Sequence, residues 1–176
     1  MFTTEQVKGD LVRSVRELYR QAFPEYERIP FWSLRARALK KDFDLLAFCD
    51  DGIFCGFACA SATDDAIYVH YLAVAEDRRG RGYGGRILDA LAQRYGERAI
   101  ALDIEAVRPG TKNAKQRSQR KKFYLRNGFK ESGFGFKDGG DMFEVLVRGP
   151  KLERETYGTL INKLAFGLTK IEPFKM

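Results

Sequence analysis

Histidine and cysteine are scarce in this sequence of 176 residues, which contains one histidine, His70, and three cysteines, Cys49, Cys55 and Cys59. A single imidazole weakens any mechanism built on a histidine-activated nucleophile. A zinc site needs several nitrogen or sulfur ligands at short spacings, so we expect no metal. An odd, small set of cysteines also argues against a disulfide framework, and we interpret the three as buried free thiols.

Long apolar runs, internal repeats and Gly/Ser-rich linkers are also missing from the sequence. No apolar run approaches the ~20 residues that a membrane-spanning helix needs. The stretch from Met1 to Glu5 lacks the basic-then-apolar layout of a signal peptide, so we expect a cytoplasmic protein. The length fits one domain, since domains usually contain roughly 100–200 residues.

Positive charge is what the sequence has in excess. It contains 31 Lys and Arg against 24 Asp and Glu, for a formal net charge of +7. Such an excess suits a polyanionic partner, which can be nucleic acid, a membrane surface or a small phosphorylated cofactor. The sign of the charge does not choose among these partners.

The hydrophobic pattern predicts a mixed α/β sheet. Asp10 is expected to cap the first helix and Pro30 to begin the second. Short turns make the first three strands antiparallel, whereas a helix after Gly82 permits the next strand to lie parallel to its predecessor. The predicted elements are helices near 10–22 and 30–38, strands 43–49, 53–61 and 66–75, a helix 82–95, a strand 99–106, a basic helix 113–127, a hairpin of 129–136 and 142–147, and a helix near 151–165.

The most informative stretch, residues 74–85, reads Val-Ala-Glu-Asp-Arg-Arg-Gly-Arg-Gly-Tyr-Gly-Gly and joins a predicted strand to a predicted helix. Glycines in such a loop let backbone amides converge on one point, a nest that binds anions. The helix N-terminus adds unpaired amides and the positive end of its dipole. Arg78, Arg79 and Arg81 add full charges. The loop therefore predicts a phosphate or pyrophosphate ligand that is held mainly by backbone.

Two better-known phosphate-binding patterns do not fit this loop. A P-loop ends in Gly-Lys-Ser/Thr, which the stretch lacks. The dinucleotide fingerprint needs other glycine spacings inside repeated parallel strand–helix units, whereas the preceding strands are predicted to be antiparallel. A flexible basic turn, in which the glycines only open the helix, is the remaining alternative.

Two segments resemble the signatures of the GNAT superfamily of acetyl-CoA-dependent N-acetyltransferases. Arg79-x-x-Gly82-x-Gly84 is similar to the family's pyrophosphate loop, and residues 72–74 are similar to the strand that pairs with the pantetheine arm. The sequence from Phe123 to Phe129, Phe-Tyr-Leu-Arg-Asn-Gly-Phe, resembles the second signature at a helix end. The cofactor-binding residues that the resemblance implies are Leu72, Ala73, Val74, Arg79, Gly80, Arg81, Gly82, Tyr83 and Gly84.

The resemblance covers about residues 5–148 and implies a GNAT-like fold, with a mostly antiparallel central sheet, one parallel crossover and a CoA-binding cleft. We expect a GNAT domain over residues 1–150 and a C-terminal helical extension over 151–176 that packs on the same domain. The implied activity is direct transfer of an acetyl group from acetyl-CoA to an amine. Many members carry an Asn and an Ala where this chain has Arg117 and Arg120, so the usual Asn contact to the cofactor is not carried over.

Two residues are candidates for the chemistry. Tyr124 matches the family's tyrosine acid, and a phenol can deliver a proton to a departing thiolate. Glu105 shares a strand face with Asp103, and carboxylates on a central strand are costly unless they are paired or used. Four roles are open for Glu105: direct base, water-mediated base, amine binder or structural ion-pair partner. Glu25 and Glu27 offer a further surface for a cationic acceptor, although solvation at the surface is the simpler explanation.

The basic helix supports an alternative function. Six cations with no acid between them suit nucleic-acid backbone, which would make the chain a tRNA-directed or ribosome-associated acetyltransferase or a CoA-binding module. No aromatic residues interleave the run, which weakens single-strand binding by stacking. The C-terminal helix carries an apolar stripe that predicts either a homodimer or lid contact, or packing on its own sheet. The six cations are Lys112, Lys115, Arg117, Arg120, Lys121 and Lys122.

Overall fold

The computed structural model describes residues 1–108, 110–111, 113–164 and 171–176. The helices are α1 (Leu11–Ala22), α2 (Phe31–Arg37), α3 (Tyr83–Tyr95), α4 (Ala114–Arg126) and α5 (Arg154–Leu164). The strands are β1 (Phe2–Gln6), β2 (Phe43–Asp50), β3 (Ile53–Ala62), β4 (Ala66–Val74), β5 (Ala99–Glu105), β6 (Lys130–Asp138), β7 (Asp141–Arg148) and β8 (Phe174–Lys175). None of these helices is both long and apolar enough to cross a membrane.

The strands form an eight-stranded mixed sheet in the order β1-β2-β3-β4-β5-β7-β6-β8. Strands β4 and β5 pair in parallel through residues 66–68 and 99–101, as the crossover helix α3 predicts. The β2–β3 and β6–β7 hairpins are antiparallel, in agreement with their short turns. This topology confirms the predicted mixed α/β fold class.

The described chain divides into two compact units. The N-terminal unit comprises residues 1–62 and 69–96, and the C-terminal unit comprises residues 63–68 and 97–176. Strand β4 contributes its first residues to the C-terminal unit and its remainder to the N-terminal unit. Each unit has a hydrophobic cluster of its own.

The core of the N-terminal unit is rich in aromatic rings. Tyr19 of α1 packs edge-on against Tyr71 of β4 with ring centroids 4.9 Å apart, and it also contacts Phe57 of β3 at 6.1 Å. Edge-to-face rings at these separations add to the free energy gained from burying their area. A Cβ on Gly56 would overlap the carbonyl oxygen of Ala73, so this β3 residue must be glycine for β4 to lie as close as it does.

The core of the C-terminal unit is covered by α5. Tyr157, Leu160 and Ile161 are almost completely buried in one cluster with Phe134 of β6 and Val145 of β7. The apolar stripe of the C-terminal helix thus packs on the sheet of its own unit, which is one of the two alternatives that the sequence predicted. The helix begins at Arg154, and residue 165, the predicted end, lies outside the described residues.

Several details differ from the sequence-based prediction. Strands β1 and β8 were not predicted, because β1 is a short, largely polar edge strand on β2 and β8 has only two residues. Asp10 occupies the N-cap position of α1 with helical backbone angles, so its side chain makes no capping hydrogen bond. Pro30 is the N-cap residue of α2 rather than its first helical residue.

Candidate active site

The glycine-rich loop connects β4 to α3 within the N-terminal unit. A short 3₁₀ turn over Glu76–Arg78 follows β4, and the chain then reaches Gly80 with φ 73° and Gly82 with φ 81°. Positive φ values of this size are strained for residues with a side chain but not for glycine. Gly82 is the left-handed N-cap of α3, which places the turn directly against the helix N-terminus.

The backbone amides of this loop are available to a ligand. Within the described residues, the amides of Gly80, Arg81 and Gly82 donate to no backbone carbonyl. The first-turn amides of α3, from Tyr83 onwards, have no partner inside the helix by geometry. A Cβ at Gly80 or Gly82 would meet no atom within 4 Å, so the space beside both residues is open. These features together are the ones expected of an anion-binding nest.

The loop arginines differ in what they contact. Arg79 donates from Nε to the carbonyl oxygen of Val74 at 3.2 Å, which folds the loop back onto the end of β4. Arg78 lies 3.1 Å from the carboxylate of Asp77. Arg79 and Arg81 are exposed, so their charge is offered to solvent or to an anionic ligand.

A contact that the sequence did not predict holds the start of α3. The Tyr83 hydroxyl and Arg86 Nη1 both donate to Oδ2 of Asp50, at 3.0 and 2.6 Å. The Arg86 guanidinium also lies 4.4 Å from the centroid of the Phe2 ring. The hydrogen bond from Arg86 lowers the pKa of Asp50 to about 2. The Tyr83 side chain therefore anchors the loop, while its amide stays among those that face the nest.

The predicted pantetheine-pairing residues, Leu72, Ala73 and Val74, form the last three residues of β4. Ala73 is buried, whereas Leu72 and Val74 are partly exposed. The strand continues its contact with β3 beyond its end, since the amide of Ala75 donates to the carbonyl oxygen of Cys55 at 2.9 Å.

Tyr124 lies near the end of α4 in the C-terminal unit. Its ring is in edge contact with Phe123 and Phe129, with centroids 5.1 and 5.5 Å away. Burial raises the pKa of its phenol to about 12; the charge of Arg120 opposes that shift, while the charge of Asp103 adds to it. The group is therefore fully protonated at neutral pH, as a proton donor must be.

Glu105 lies at the end of β5 and is held by two arginines. Arg117 Nη2 is 2.8 Å from its Oε1, and Arg120 Nη1 is 3.5 Å from its Oε2. Arg117 is buried and also donates to the carbonyl oxygen of Ala106 at 3.3 Å and to Asp141 at 3.1 Å. The two residues that replace the family's usual Asn and Ala thus tie α4 to the end of β5.

Asp103, on the same face of β5, has a different environment. Tyr68 of β4 donates its hydroxyl to Oδ1 of Asp103, and the Tyr157 hydroxyl of α5 lies 3.5 Å from the same oxygen. Burial raises the pKa of Asp103 to about 6, although the two phenols oppose that shift. The sequence placed Asp103 beside Glu105 but carried no signal for either tyrosine, since both come from distant parts of the chain.

The basic run on α4 is largely explained by acids of the same unit. Arg117 and Arg120 pair with Glu105 as described, and Lys121 pairs with Glu131 and with Glu144, the latter at 2.6 Å. The other basic residues of the run that the structure describes, Lys115 and Lys122, are exposed. Lys112 lies outside the described residues.

Elsewhere in the described chain, Glu25 and Glu27 form an exposed 3₁₀ turn, and the hydroxyl of Tyr71 donates to the carbonyl oxygen of Glu27 at 2.8 Å. No group of three or more His, Cys, Asp or Glu side chains that could hold a metal ion occurs in the described ranges. The three cysteines are free thiols and buried.

Comparison with known proteins identifies the family. The sequence profile of the GNAT acetyltransferase domain matches residues 41–131, which include the loop and Tyr124. An acetyltransferase of Bacillus subtilis, YjbC, is 30% identical over 99 residues, which are 52% of this chain and 49% of the relative. The chain thus spans about half the length of this curated relative. It belongs to the GNAT acetyltransferase family, as its two signatures predicted.

Solved structures agree with this assignment. A GNAT-family acetyltransferase from Bacteroides thetaiotaomicron superimposes with a TM-score of 0.73 at 27% identity, over 96% of this chain and 99% of that one. An aminoglycoside 6'-N-acetyltransferase complexed with coenzyme A has a TM-score of 0.68 at 17% identity, over 87% of this chain and 99% of that one. The second likeness shows a shared fold.

Proposed function

We propose that the protein transfers an acetyl group from acetyl-CoA to the nitrogen of an amine acceptor by direct attack. The observation that carries the proposal is the loop of residues 79–84, whose open amides and exposed arginines suit the pyrophosphate of CoA. Backbone amides recognise phosphate oxygens without needing a particular side chain, which fits a loop in which every second residue is glycine. The end of β4, residues 72–74, would pair with the pantetheine arm.

Tyr124 is the proposed general acid. The amine nitrogen bonds to the thioester carbonyl carbon and releases one of its protons to solvent, the C–S bond breaks, and the sulfur takes the phenol proton of Tyr124. The resulting phenolate regains a proton from solvent. A phenol with a pKa raised to about 12 keeps its proton until the thiolate forms, and its half-buried position limits competing exchange with water.

Glu105 is best explained as the ion-pair partner among its four possible roles. Two guanidinium groups already lie against its oxygens, Arg117 at 2.8 Å and Arg120 at 3.5 Å. Acting with Arg117, it would fix α4 and thereby the position of Tyr124. A direct base or an amine binder would have to break these ion pairs first.

The alternative functions receive less support. Three basic residues of α4 are engaged by acids of their own unit, which leaves less charge for nucleic-acid phosphates. The apolar stripe of α5 was the reason to expect a homodimer. That stripe is buried within the C-terminal unit and therefore needs no second copy to cover it. The cytoplasmic location and the absence of a metal remain expectations from the sequence.

An amine panel tests the proposal. The panel contains an aminoglycoside, a polyamine, free amino acids and peptides with free N-termini or lysines, with acetyl-CoA as donor and release of free thiol as the readout. We expect at least one class to give turnover above the rate of acetyl-CoA hydrolysis. Binding of CoA without acetylation of any class would reduce the protein to a CoA-binding module, and a shift of tRNA at low salt would favour the nucleic-acid alternative.

A further inference from the structure

An aspartate of β2 holds the N-terminal end of α3, beside the glycine-rich loop. Asp50 accepts hydrogen bonds from the Tyr83 hydroxyl at 3.0 Å and from Arg86 at 2.6 Å. The backbone amide of Arg86 in turn donates to the carbonyl oxygen of Gly82 at 3.2 Å, and Tyr83 follows Gly82 directly in the chain. Both residues that Asp50 holds are therefore joined to Gly82, whose amide is among the open amides of the loop.

Strand β1 adds to this support. Phe2 pairs with Asp50 in the register of β1 and β2, and its ring centroid lies 4.4 Å from the Arg86 guanidinium and 6.4 Å from the centroid of the Tyr83 ring. A guanidinium over an aromatic face is attracted to it. The exposed amino group of Met1 lies 3.6 Å from the other oxygen of Asp50. Strand β1 lies outside residues 41–131, so the matched family profile does not include this support.

The C-terminal end of α3 is held in the same manner by a second aspartate of β2. Asp44 accepts a hydrogen bond from Tyr95 at 2.8 Å and two from Arg94 at 3.0 Å each, and Gln6 of β1 also donates to it at 2.6 Å. The six steps along β2 from Asp44 to Asp50 span about 20 Å, and the 13-residue helix is about as long. The two aspartate side chains are similarly accessible, at 17% and 20%. They differ chiefly in which end of α3 they hold.

The charge of Asp50 has the wrong sign for direct contact with a pyrophosphate. The hydrogen bond from Arg86 holds the pKa of Asp50 at about 2, so the group is a carboxylate at neutral pH. A carboxylate near a site for an anion repels that anion. Any benefit of Asp50 to cofactor binding must therefore come from where it holds Tyr83 and Arg86.

The inference rests on the proposed binding of CoA at the loop. We propose that Asp50 is a positioning residue for the cofactor, which holds Tyr83 and Arg86 so that the amides of Gly82 and the first turn of α3 point toward the pyrophosphate. Amides that are fixed before the ligand arrives need no ordering when it binds, which raises affinity. Asp44 stabilises the same helix at its far end and does not orient these amides.

Asp50→Asn and Asp44→Asn in the full-length protein form the matched pair that tests the proposal. Calorimetric titration should show CoA binding roughly 10-fold weaker in Asp50→Asn, because preorganisation is lost, and unchanged in Asp44→Asn. Amide NMR of the free proteins should show shifted signals for residues 80–83 only in Asp50→Asn. Loss of a repulsive charge alone would strengthen CoA binding instead. Stronger or unchanged binding by Asp50→Asn, or equal weakening in both variants, would overturn the proposal.

A double-mutant cycle identifies the groups through which Asp50 acts. In the Tyr83→Phe/Arg86→Gln background the side chains that Asp50 holds are gone, so adding Asp50→Asn should not weaken CoA binding further. A further loss as large as that in wild type would show that Asp50 acts by another route. Should Asp50→Asn fail to fold, Tyr83→Phe replaces it with Tyr95→Phe as its control. Only Tyr83→Phe should weaken CoA binding, and equal affinities would contradict the positioning role.

Turnover separates this inference from the proposed acetyl transfer. With an active amine of the panel, Asp50→Asn should raise KM for acetyl-CoA and leave kcat nearly unchanged, as loss of binding alone does. A lower kcat at an unchanged KM would overturn the proposal. If no amine is acetylated, the proposed function fails, while CoA titration and the amide signals still decide the role of Asp50. A wild type that binds no CoA would defeat the positioning role.

Discussion

The loop of residues 79–84 and the β5–α4 region present chemical groups of different kinds. In the loop, the groups offered to a ligand are backbone amides, which glycines with positive φ expose. In the β5–α4 region the groups are side chains, each with a character set by its partners: guanidiniums around Glu105 and phenols around Asp103.

This difference leads to different sensitivities. A backbone site depends on a few φ angles and tolerates most side-chain changes nearby. A side-chain site depends on hydrogen bonds and charges from several elements, so single substitutions change its protonation state. Substitutions in both regions can therefore separate binding of the cofactor from turnover.

The largest effect is expected from Tyr124→Phe. Removing the phenol proton should reduce kcat by the ~10²–10⁴-fold typical for loss of a general acid, while CoA binding stays nearly intact. Stopped-flow thiol release and calorimetric CoA titration measure the two quantities. Tyr95→Phe in the N-terminal unit is the matched control, since it also removes a buried hydroxyl, one that donates to Asp44 at 2.8 Å. Full activity of Tyr124→Phe would mean that solvent protonates the thiolate.

Gly82→Val should weaken CoA binding at least ~10²-fold, because two or more hydrogen bonds to a charged group are lost at ~1.5–3 kcal/mol each. The control is Gly52→Val in the β2–β3 turn, where φ is 76° and nothing lies within 4 Å of an added Cβ. Both variants strain the backbone similarly, so both should lose stability. Only Gly82→Val should bind CoA more weakly. An equal loss of CoA affinity in the two variants would show that the loop affects binding through stability alone.

Arg117→Ala should lower the free energy of unfolding by about 3 kcal/mol, because it removes a buried guanidinium that bonds Glu105, Asp141 and the carbonyl oxygen of Ala106. Arg120→Ala removes the more distant and more exposed partner, whose side chain is 46% accessible. Its effect should stay within about 1 kcal/mol, as for surface ion pairs. Chemical denaturation at pH 7 measures both. A larger loss from Arg120→Ala would contradict the structural role of Arg117.

A smaller effect concerns pH. The folded-state pKa of Asp103 lies near 6, above its model-peptide value of 3.8, so the folded protein holds this proton more tightly than the unfolded chain. The favourable contribution of Asp103 to the free energy of unfolding is complete below pH 4 and is lost as pH rises through 6. We therefore expect the free energy of unfolding of Asp103→Asn to rise by about 2 kcal/mol relative to that of wild type as the pH goes from 4 to 7, a figure discounted for partial exposure.

His70 in the N-terminal unit should respond in the opposite direction. Burial lowers its pKa to about 4, below the ordinary 6.5. The contribution of His70 to the free energy of unfolding is therefore complete above pH 6.5 and is lost as pH falls through 4. Chemical denaturation of His70→Gln and Asp103→Asn between pH 4 and 7 gives the difference in free energy of unfolding between each variant and wild type. Plotted against pH, the two differences should have slopes of opposite sign. Slopes of the same sign would show that one of the two pKa directions is wrong.

The sequence predicted the fold class, the parallel crossover and the loop because these depend on local patterns and fixed spacings. Gly80 and Gly82 are separated by one residue in the chain, so their joint effect is visible without a structure. The roles of Asp103 and Glu105 were not separable in this way. Tyr68 and Tyr157 reach Asp103 from 35 and 54 residues away, and the distinction between the two carboxylates rests on such long-range contacts.

Calorimetric titration with CoA, pantetheine and pyrophosphate asks directly whether the loop of residues 79–84 holds the pyrophosphate of the cofactor. We expect CoA to bind to wild type and far more weakly to Gly82→Val, whereas pantetheine, which has no pyrophosphate, should bind weakly to both proteins. Pyrophosphate should compete with CoA in wild type. Equal CoA affinities in wild type and Gly82→Val, or no CoA binding by wild type, would contradict this role of the loop.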